Sequence, residues 1–177
     1  MKKEAAVDAS VTFGLLAAWA VHDTEELVTV PRWVRTRLPD LREKMPWVPE
    51  AVWRQLGSVD AREFTTAVAA MAVVVAAAAA DGHRTGGRSV FYQTVLDGFG
   101  LHGVVHLAQA AVLRAYTPGS VTSPLVVIPF TLWARTRLRR AGILRPTRAR
   151  DLAVTLAVAT AAATGTHALA RSLQRTH

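Results

Sequence analysis

The apolar run AWAVHDTEELVTV, residues 18–30, contains four titratable side chains: His22, Asp23, Glu25 and Glu26. Inserting such a group near the centre of a bilayer costs about 2.5 kcal/mol or more, so its presence predicts a functional site. At about 100° per residue, His22 and Glu26 share one helical face and Glu25 lies beside it. Asp23 is expected to point away from the His22–Glu26 pair.

A second pair, His102 and His106, stands at i and i+4 in FGLHGVVH and again shares one helical face. If the two helices cross a bilayer in the same direction, a rise of about 1.5 Å per residue brings these imidazoles to the depth of His22 and Glu26. His167, further along the chain, falls in the same layer. The spacing therefore predicts that three imidazoles and a carboxylate pair converge.

Two chemistries fit such a set. Imidazole and carboxylate are ligands for zinc, iron or manganese, and helical bundles build these sites from i,i+3 and i,i+4 pairs on facing helices. The predicted metal ligands are His22, Glu25, Glu26, His102 and His106. Alternatively, a His–Glu pair in a low-dielectric pocket supplies a proton donor and a base without any metal.

Five largely apolar segments would carry these residues across a bilayer, which needs about 20 such residues per helix. The predicted spans are residues 10–30, 64–80, 89–115, 119–134 and 152–170. Asp97 falls within the third span, and Pro129 predicts a kink in the fourth. Because residues 115–134 lack the polar face of a soluble helix, we predict an all-α integral membrane bundle. It forms a single domain, residues 1–177, that crosses the plasma membrane several times.

The composition also favours a membrane protein. The chain of 177 residues is 51% hydrophobic, yet it has 21 Lys plus Arg against 13 Asp plus Glu. The basic residues lie between apolar runs, which favours lipid headgroups over nucleic acid as the partner. Trp33, Trp47 and Trp53 fall among Arg and Pro residues in segment 31–62, which predicts an interfacial amphipathic segment after the first span. The chain has no cysteine, which excludes thiolate metal sites.

The motif HDTEE at residues 22–26, followed by the block HGVVHLAQAAVLRAYTPGSVTSPL, resembles the HXXEE-domain family of small bacterial multi-helix membrane proteins. The resemblance implies an active site of His, Glu and Arg residues in a family of generally unknown function. The candidate catalytic residues that it implies are His22, Glu25, Glu26, His106 and Arg114. The residue pattern alone leaves Arg114 as either an interfacial anchor or a ligand for an anionic head group.

These features predict a membrane-embedded enzyme that acts on a hydrophobic or amphipathic substrate, such as a lipid or an isoprenoid-like molecule. It uses either a divalent metal (Zn, Fe or Mn) or a metal-free acid/base pair, as an isomerase or cyclase would. A non-enzymatic proton-linked carrier or ligand-binding protein is the alternative from another class, because intramembrane Glu and His also serve as proton relays. A purely structural role predicts that His22→Ala mainly lowers stability.

Overall fold

A computed structural model describes residues 6–58 and 60–146. Within these ranges the chain is helical and has no strand, which confirms the all-α prediction. The α-helices are α1 (Ala9–Lys44), α2 (Glu50–Gly57), α3 (Ala61–Arg84), α4 (Val90–Leu113) and α5 (Ile128–Arg140), and a π-helix (Ser123–Val127) leads directly into α5. The predicted fifth span, residues 152–170, and His167 lie outside the described residues.

Helix α1 is longer than the predicted first span. It has 36 residues and continues through Pro31 and Pro39. A proline removes its own N–H from the helical ladder and its ring presses on the carbonyl four residues earlier, so a helix continues past it where packing against a neighbour compensates. The neighbour is α2, whose Trp53 is buried, whereas Trp47 in the preceding turn is exposed. The predicted interfacial segment 31–62 is thus helical in its first half and contains α2 in its second.

Helices α3 and α4 are the two described helices that are long and apolar enough to cross a membrane. Each has 24 residues, or about 36 Å. Their N-caps are formed by side chains: Asp60 accepts the Glu63 N–H at 2.7 Å, and Ser89 accepts the Tyr92 N–H at 3.1 Å. Two of the five predicted spans therefore coincide with helices that are long and apolar enough to cross a membrane, each close to its predicted limits.

The predicted fourth span, residues 119–134, begins with a turn in the structure. The turn occupies residues 118–121, and the π-helix and α5 then run without a break to Arg140. Helix α4 ends before this turn, at Leu113, where the C-cap Arg114 has a φ of 48°. Residues 116–122 therefore contact α1 rather than extend α4, with Gly119 at a positive φ of 79°.

Close packing fixes α4 against the segment that follows the turn. A Cβ added at Gly103 would lie 2.8 Å from Val127 Cγ1, and one at Gly100 would lie 2.7 Å from Thr131 Cγ2. Small residues of this kind let helices approach closely in a membrane. The Arg135 guanidinium, on the same side of α5, pairs with the α4 carboxylate Asp97.

The apolar core lies between α1, α3, α4 and α5. Its fully buried members include Leu15 of α1, Leu96 of α4 and Leu138 of α5. Tyr92 is also fully buried, and its hydroxyl donates to the Val11 carbonyl at 2.5 Å. This core joins α1 to α4, so the histidine-bearing faces of the two helices are held opposite each other.

Candidate metal centre

Four side chains from α1 and α4 converge on one point: His22, Glu26, His102 and His106. Their ligand atoms all lie within 4.8 Å of one another. His106 Nε2 lies 2.8 Å from His102 Nε2 and 3.3 Å from Glu26 Oε1. Glu26 Oε2 lies 3.9 Å from His102 Nε2 and 4.0 Å from His22 Nε2. We call these four residues the His–Glu cluster.

The spacing of the cluster fits a metal ion. Ligands at about 2.0–2.1 Å from a tetrahedral zinc ion are about 3.3–3.4 Å apart, and the measured separations of 2.8–4.0 Å lie on both sides of that value. His22 Nε2 is buried and has no hydrogen-bond partner among the described residues. A lone-pair nitrogen in this situation needs a partner, and a cation at the centre of the cluster would supply it. Three imidazoles and a carboxylate suit Zn, Fe or Mn.

Three side chains of the cluster are buried or nearly buried, and the fourth is exposed. The His22 side chain is fully buried, and the side chains of His106 and Glu26 are 9% and 12% exposed. The His102 side chain is 46% exposed. Leu101 and Val105, next to it on α4, are exposed apolar residues. The exposed member of the cluster therefore lies beside exposed apolar side chains of its own helix.

Thr122 connects His22 to Glu25. Its hydroxyl lies 2.7 Å from His22 Nδ1 and donates to Glu25 Oε2 at 2.6 Å. Since the single hydroxyl proton goes to the carboxylate, Thr122 can only accept from His22, so the imidazole proton is on Nδ1. The lone pair of His22 is then on Nε2, which faces the cluster. A ligating histidine in metalloproteins is oriented in the same way through its second nitrogen.

Glu25 holds the segment that carries Thr122. Its Oε2 accepts the Thr122 N–H at 2.8 Å, and its Oε1 accepts the Tyr116 hydroxyl at 2.8 Å and the Val121 N–H at 3.4 Å. Trp33 Nε1 adds a bond to the Tyr116 carbonyl at 3.0 Å. Partial burial, together with the nearby Glu25 carboxylate, raises the pKa of the Tyr116 phenol, so the hydroxyl remains a donor. Glu25 was predicted as a metal ligand, but the structure directs its carboxylate to this segment.

Gly119 packs directly against two histidines of the cluster, His106 and His22. A Cβ at this position would lie 2.8 Å from His106 Cε1 and 2.9 Å from His22 Cε1. With its positive φ of 79°, this position excludes other residues for both conformational and steric reasons. The sequence offers the turn Thr117-Pro118-Gly119 as a signal, but its contact with two histidines depends on tertiary structure.

The other predicted site residues are placed as follows. Arg114 is exposed at the C-cap of α4, with a φ of 48°, and lies eight residues, or about 12 Å of helix, beyond His106. Asp23 is 7% exposed, is not a member of the cluster, and its Oδ2 has no hydrogen-bond partner among the described residues. Asp97 pairs with Arg135. The structure thus brings together His22, Glu26, His102 and His106 and leaves Glu25 and Arg114 outside.

Comparison with known proteins gives one match. The family model described as "Protein of unknown function with HXXEE motif" matches residues 13–134. These residues include the whole His–Glu cluster, Glu25 and Thr122. No curated protein and no solved structure matches the chain.

Proposed function

The chain belongs to the HXXEE family, whose function is unknown, and from that premise we propose that it is a membrane-embedded, metal-dependent enzyme. Its substrate is hydrophobic or amphipathic, of lipid or isoprenoid type. The observation that carries the proposal is the convergence of three imidazole nitrogens and one carboxylate within 4.8 Å. A buried group of this composition has a large cost in a membrane, and function is the usual reason for it.

Membrane embedding is supported by the outer surface of the bundle. Besides α3 and α4, the other helices expose large apolar side chains: Val28 on α1, Leu125 on the π-helix and Leu132 on α5 are all more than 60% exposed. Exposed apolar surface around a whole bundle is unfavourable in water and favourable in lipid. We therefore propose a multi-pass protein of the cell membrane with about five spans, of which residues 152–170 are one.

A catalytic metal site keeps one position open, whereas a structural site is closed by protein ligands. Because four protein side chains would complete a tetrahedral ion, the catalytic type requires that His102, whose side chain is 46% exposed, gives way to substrate or that the ion takes a fifth ligand. A metal bound here supplies Lewis-acid polarisation of a substrate oxygen or activation of a water molecule. His22 and His106 would hold the ion from the buried side, Glu26 would neutralise part of its charge, and Thr122 would keep the His22 lone pair directed at it.

The test is a search for a metal-dependent product. Full-length protein reconstituted in vesicles is incubated with membrane lipid extract and isoprenoid alcohols, with zinc, iron(II) or manganese(II), and products are identified by mass spectrometry. We expect a product that disappears in Glu26→Gln and on chelation, and that persists in His83→Ala. His83 is a matched control because it contacts Phe13, with ring centroids 5.0 Å apart, outside the cluster. Absence of any product with all three metals would contradict the proposal and favour a non-enzymatic carrier or ligand-binding protein.

One observation favours the metal-free alternative. His106 Nε2 lies within hydrogen-bonding distance of both His102 Nε2 and Glu26 Oε1, at 2.8 and 3.3 Å. Such a chain could pass a proton between substrate and carboxylate, as an isomerase or cyclase requires. The two mechanisms differ in one result: a product that forms at full rate after exhaustive chelation would favour the acid/base mechanism.

A further inference from the structure

A second candidate site lies far from the His–Glu cluster, between the C-terminal half of α1 and α2. It is a cleft of 540 Å³. Its apolar lining includes Val34, Leu38 and the buried Trp53. At Gly57 α2 approaches α1 closely, because a Cβ there would lie 3.2 Å from Leu38 Cδ2. The metal chemistry proposed above makes no use of this cleft.

The rim of the cleft is basic. It carries Arg35, Arg42 and Arg54 against one carboxylate, Glu50. Arg42 and Glu50 form an ion pair of 2.9 Å. Neither Arg35 nor Arg54 has an ion-pair partner among the described residues, and both are exposed. The cleft therefore presents two uncompensated guanidinium groups, which match phosphate in charge and geometry.

The surface next to the cleft is apolar. Val52 and Leu56 stand at i and i+4 on α2 and are both exposed, and Trp47, in the turn before α2, is 74% exposed. A helix with an exposed apolar face, a tryptophan and arginines is typical of a segment lying in the headgroup layer of a bilayer. A site for a soluble polyanion would have no need of these apolar residues.

The position along α1 agrees with this layer. Arg35 lies nine residues beyond Glu26, or about 14 Å of helix, and Arg42 lies sixteen residues beyond it, or about 24 Å. Half of the hydrocarbon core measures about 15 Å. With the middle of the predicted first span, residue 20, at the bilayer centre, Arg35 lies about 22 Å of helix from that centre, and half of a bilayer including its headgroups measures about 20–22 Å. The rim of the cleft at Arg35 is therefore level with the lipid phosphates.

We infer that the cleft between α1 and α2 binds the phosphate headgroup of an anionic phospholipid, with Arg35 and Arg54 on the phosphate and the acyl chains beside Val52 and Leu56. This inference rests on the membrane embedding proposed above, but it does not depend on the metal or on catalysis.

The experiment measures lipid retained by the full chain in detergent, by native mass spectrometry, with phosphatidylglycerol and phosphatidylcholine as probes. The wild type is expected to retain phosphatidylglycerol in preference. A basic residue near an anionic surface contributes about fivefold to affinity, so Arg35→Gln/Arg54→Gln is expected to bind about 25-fold more weakly. Arg32→Gln/Arg37→Gln is the matched control, because both arginines are exposed on α1 and do not line the cleft.

Three results would overturn the inference: equal retention of the two lipids by the wild type, an equal loss in both double variants, or full displacement of the lipid by millimolar inorganic phosphate. The last result would identify a site for free phosphate. Bound metal is measured on the same samples and should be unchanged in Arg35→Gln/Arg54→Gln, so failure here is distinguishable from failure of the proposed function.

A second measurement needs no variant, in case the double variant fails to fold. Phosphatidylglycerol with a photoreactive headgroup is cross-linked to the wild-type chain, and the labelled peptides are mapped. Labelling within Glu50–Gly57 is expected. Labelling confined to other segments would contradict the inference.

Discussion

Thr122→Val removes the hydroxyl that joins His22 to Glu25 and leaves the shape of the side chain almost unchanged. His22 Nδ1 then loses its acceptor at 2.7 Å, while the bond from the Thr122 N–H to Glu25 at 2.8 Å can remain. In the metal-free protein the imidazole can move its proton to Nε2, towards Glu26. In the metal-bound protein it cannot, because Nε2 carries the ligand lone pair. The missing hydrogen bond therefore destabilises the metal-bound protein and not the metal-free protein, so it weakens metal binding.

The magnitude follows from that difference. A buried N–H without a partner costs about 1–3 kcal/mol, which corresponds to a factor of about 5–150 in affinity. Loss of a group that orients a metal ligand typically weakens metal affinity about 10–100-fold. We expect Thr122→Val to bind Zn²⁺ within this range of weakening, and Thr122→Ser to bind nearly as the wild type.

The assay is competition between the protein and a chromophoric chelator in detergent, combined with ¹⁵N NMR of the His22 ring. Thr136→Val is the matched control, because its hydroxyl bonds only the Leu132 carbonyl of its own helix, at 2.8 Å. Wild-type affinity in Thr122→Val, or a proton on Nε2 in the metal-free wild type, would refute the reasoning about the orientation of His22.

Four further outcomes are expected. Gly119→Ala places a Cβ against His106 and His22 at a position with a φ of 79°, so it should lower both the melting temperature and the metal content; the backbone alone costs about 1–2 kcal/mol. Asp97→Asn should destabilise the protein by about 2 kcal/mol in denaturant titration, because a neutral amide replaces the carboxylate that pairs with the Arg135 guanidinium, and should leave metal content unchanged. Tyr92→Phe should lose about 1 kcal/mol of stability through the bond to Val11, again with unchanged metal. Zn²⁺ affinity should fall as the pH is lowered, because protons compete with the metal for imidazole and carboxylate ligands; an affinity independent of pH would contradict ligation by these side chains.

Helical periodicity was sufficient to predict most of the cluster. The i,i+4 spacing of His22 with Glu26, and of His102 with His106, depends only on the local geometry of a helix. Counting the rise per residue then predicts that the two pairs meet at one depth. Both arguments work because α1 and α4 are regular helices where these residues lie.

Features that depend on the turn after α4 were not predictable from local patterns. Glu25 and Glu26 are adjacent acidic residues, and only the path of residues 116–122 decides that Glu25 binds backbone N–H groups while Glu26 joins the histidines. The role of Thr122 has the same origin. The apolar run 119–134 predicted a helix from its first residue, but residues 118–121 form a turn and the helix begins only after it. Hydropathy along the sequence predicts how long an apolar segment is. It carries no information about a residue with a positive backbone φ.

The central claim is that the His–Glu cluster binds one metal ion. The most direct test is elemental analysis of the detergent-purified chain after incubation with zinc, iron(II) and manganese(II), alongside His22→Ala, His106→Ala and the control His83→Ala. The account predicts about one ion per chain in the wild type and in His83→Ala, and almost none in the other two variants. A wild-type protein that remains without stoichiometric metal, or that keeps its metal in His22→Ala and His106→Ala, would contradict it.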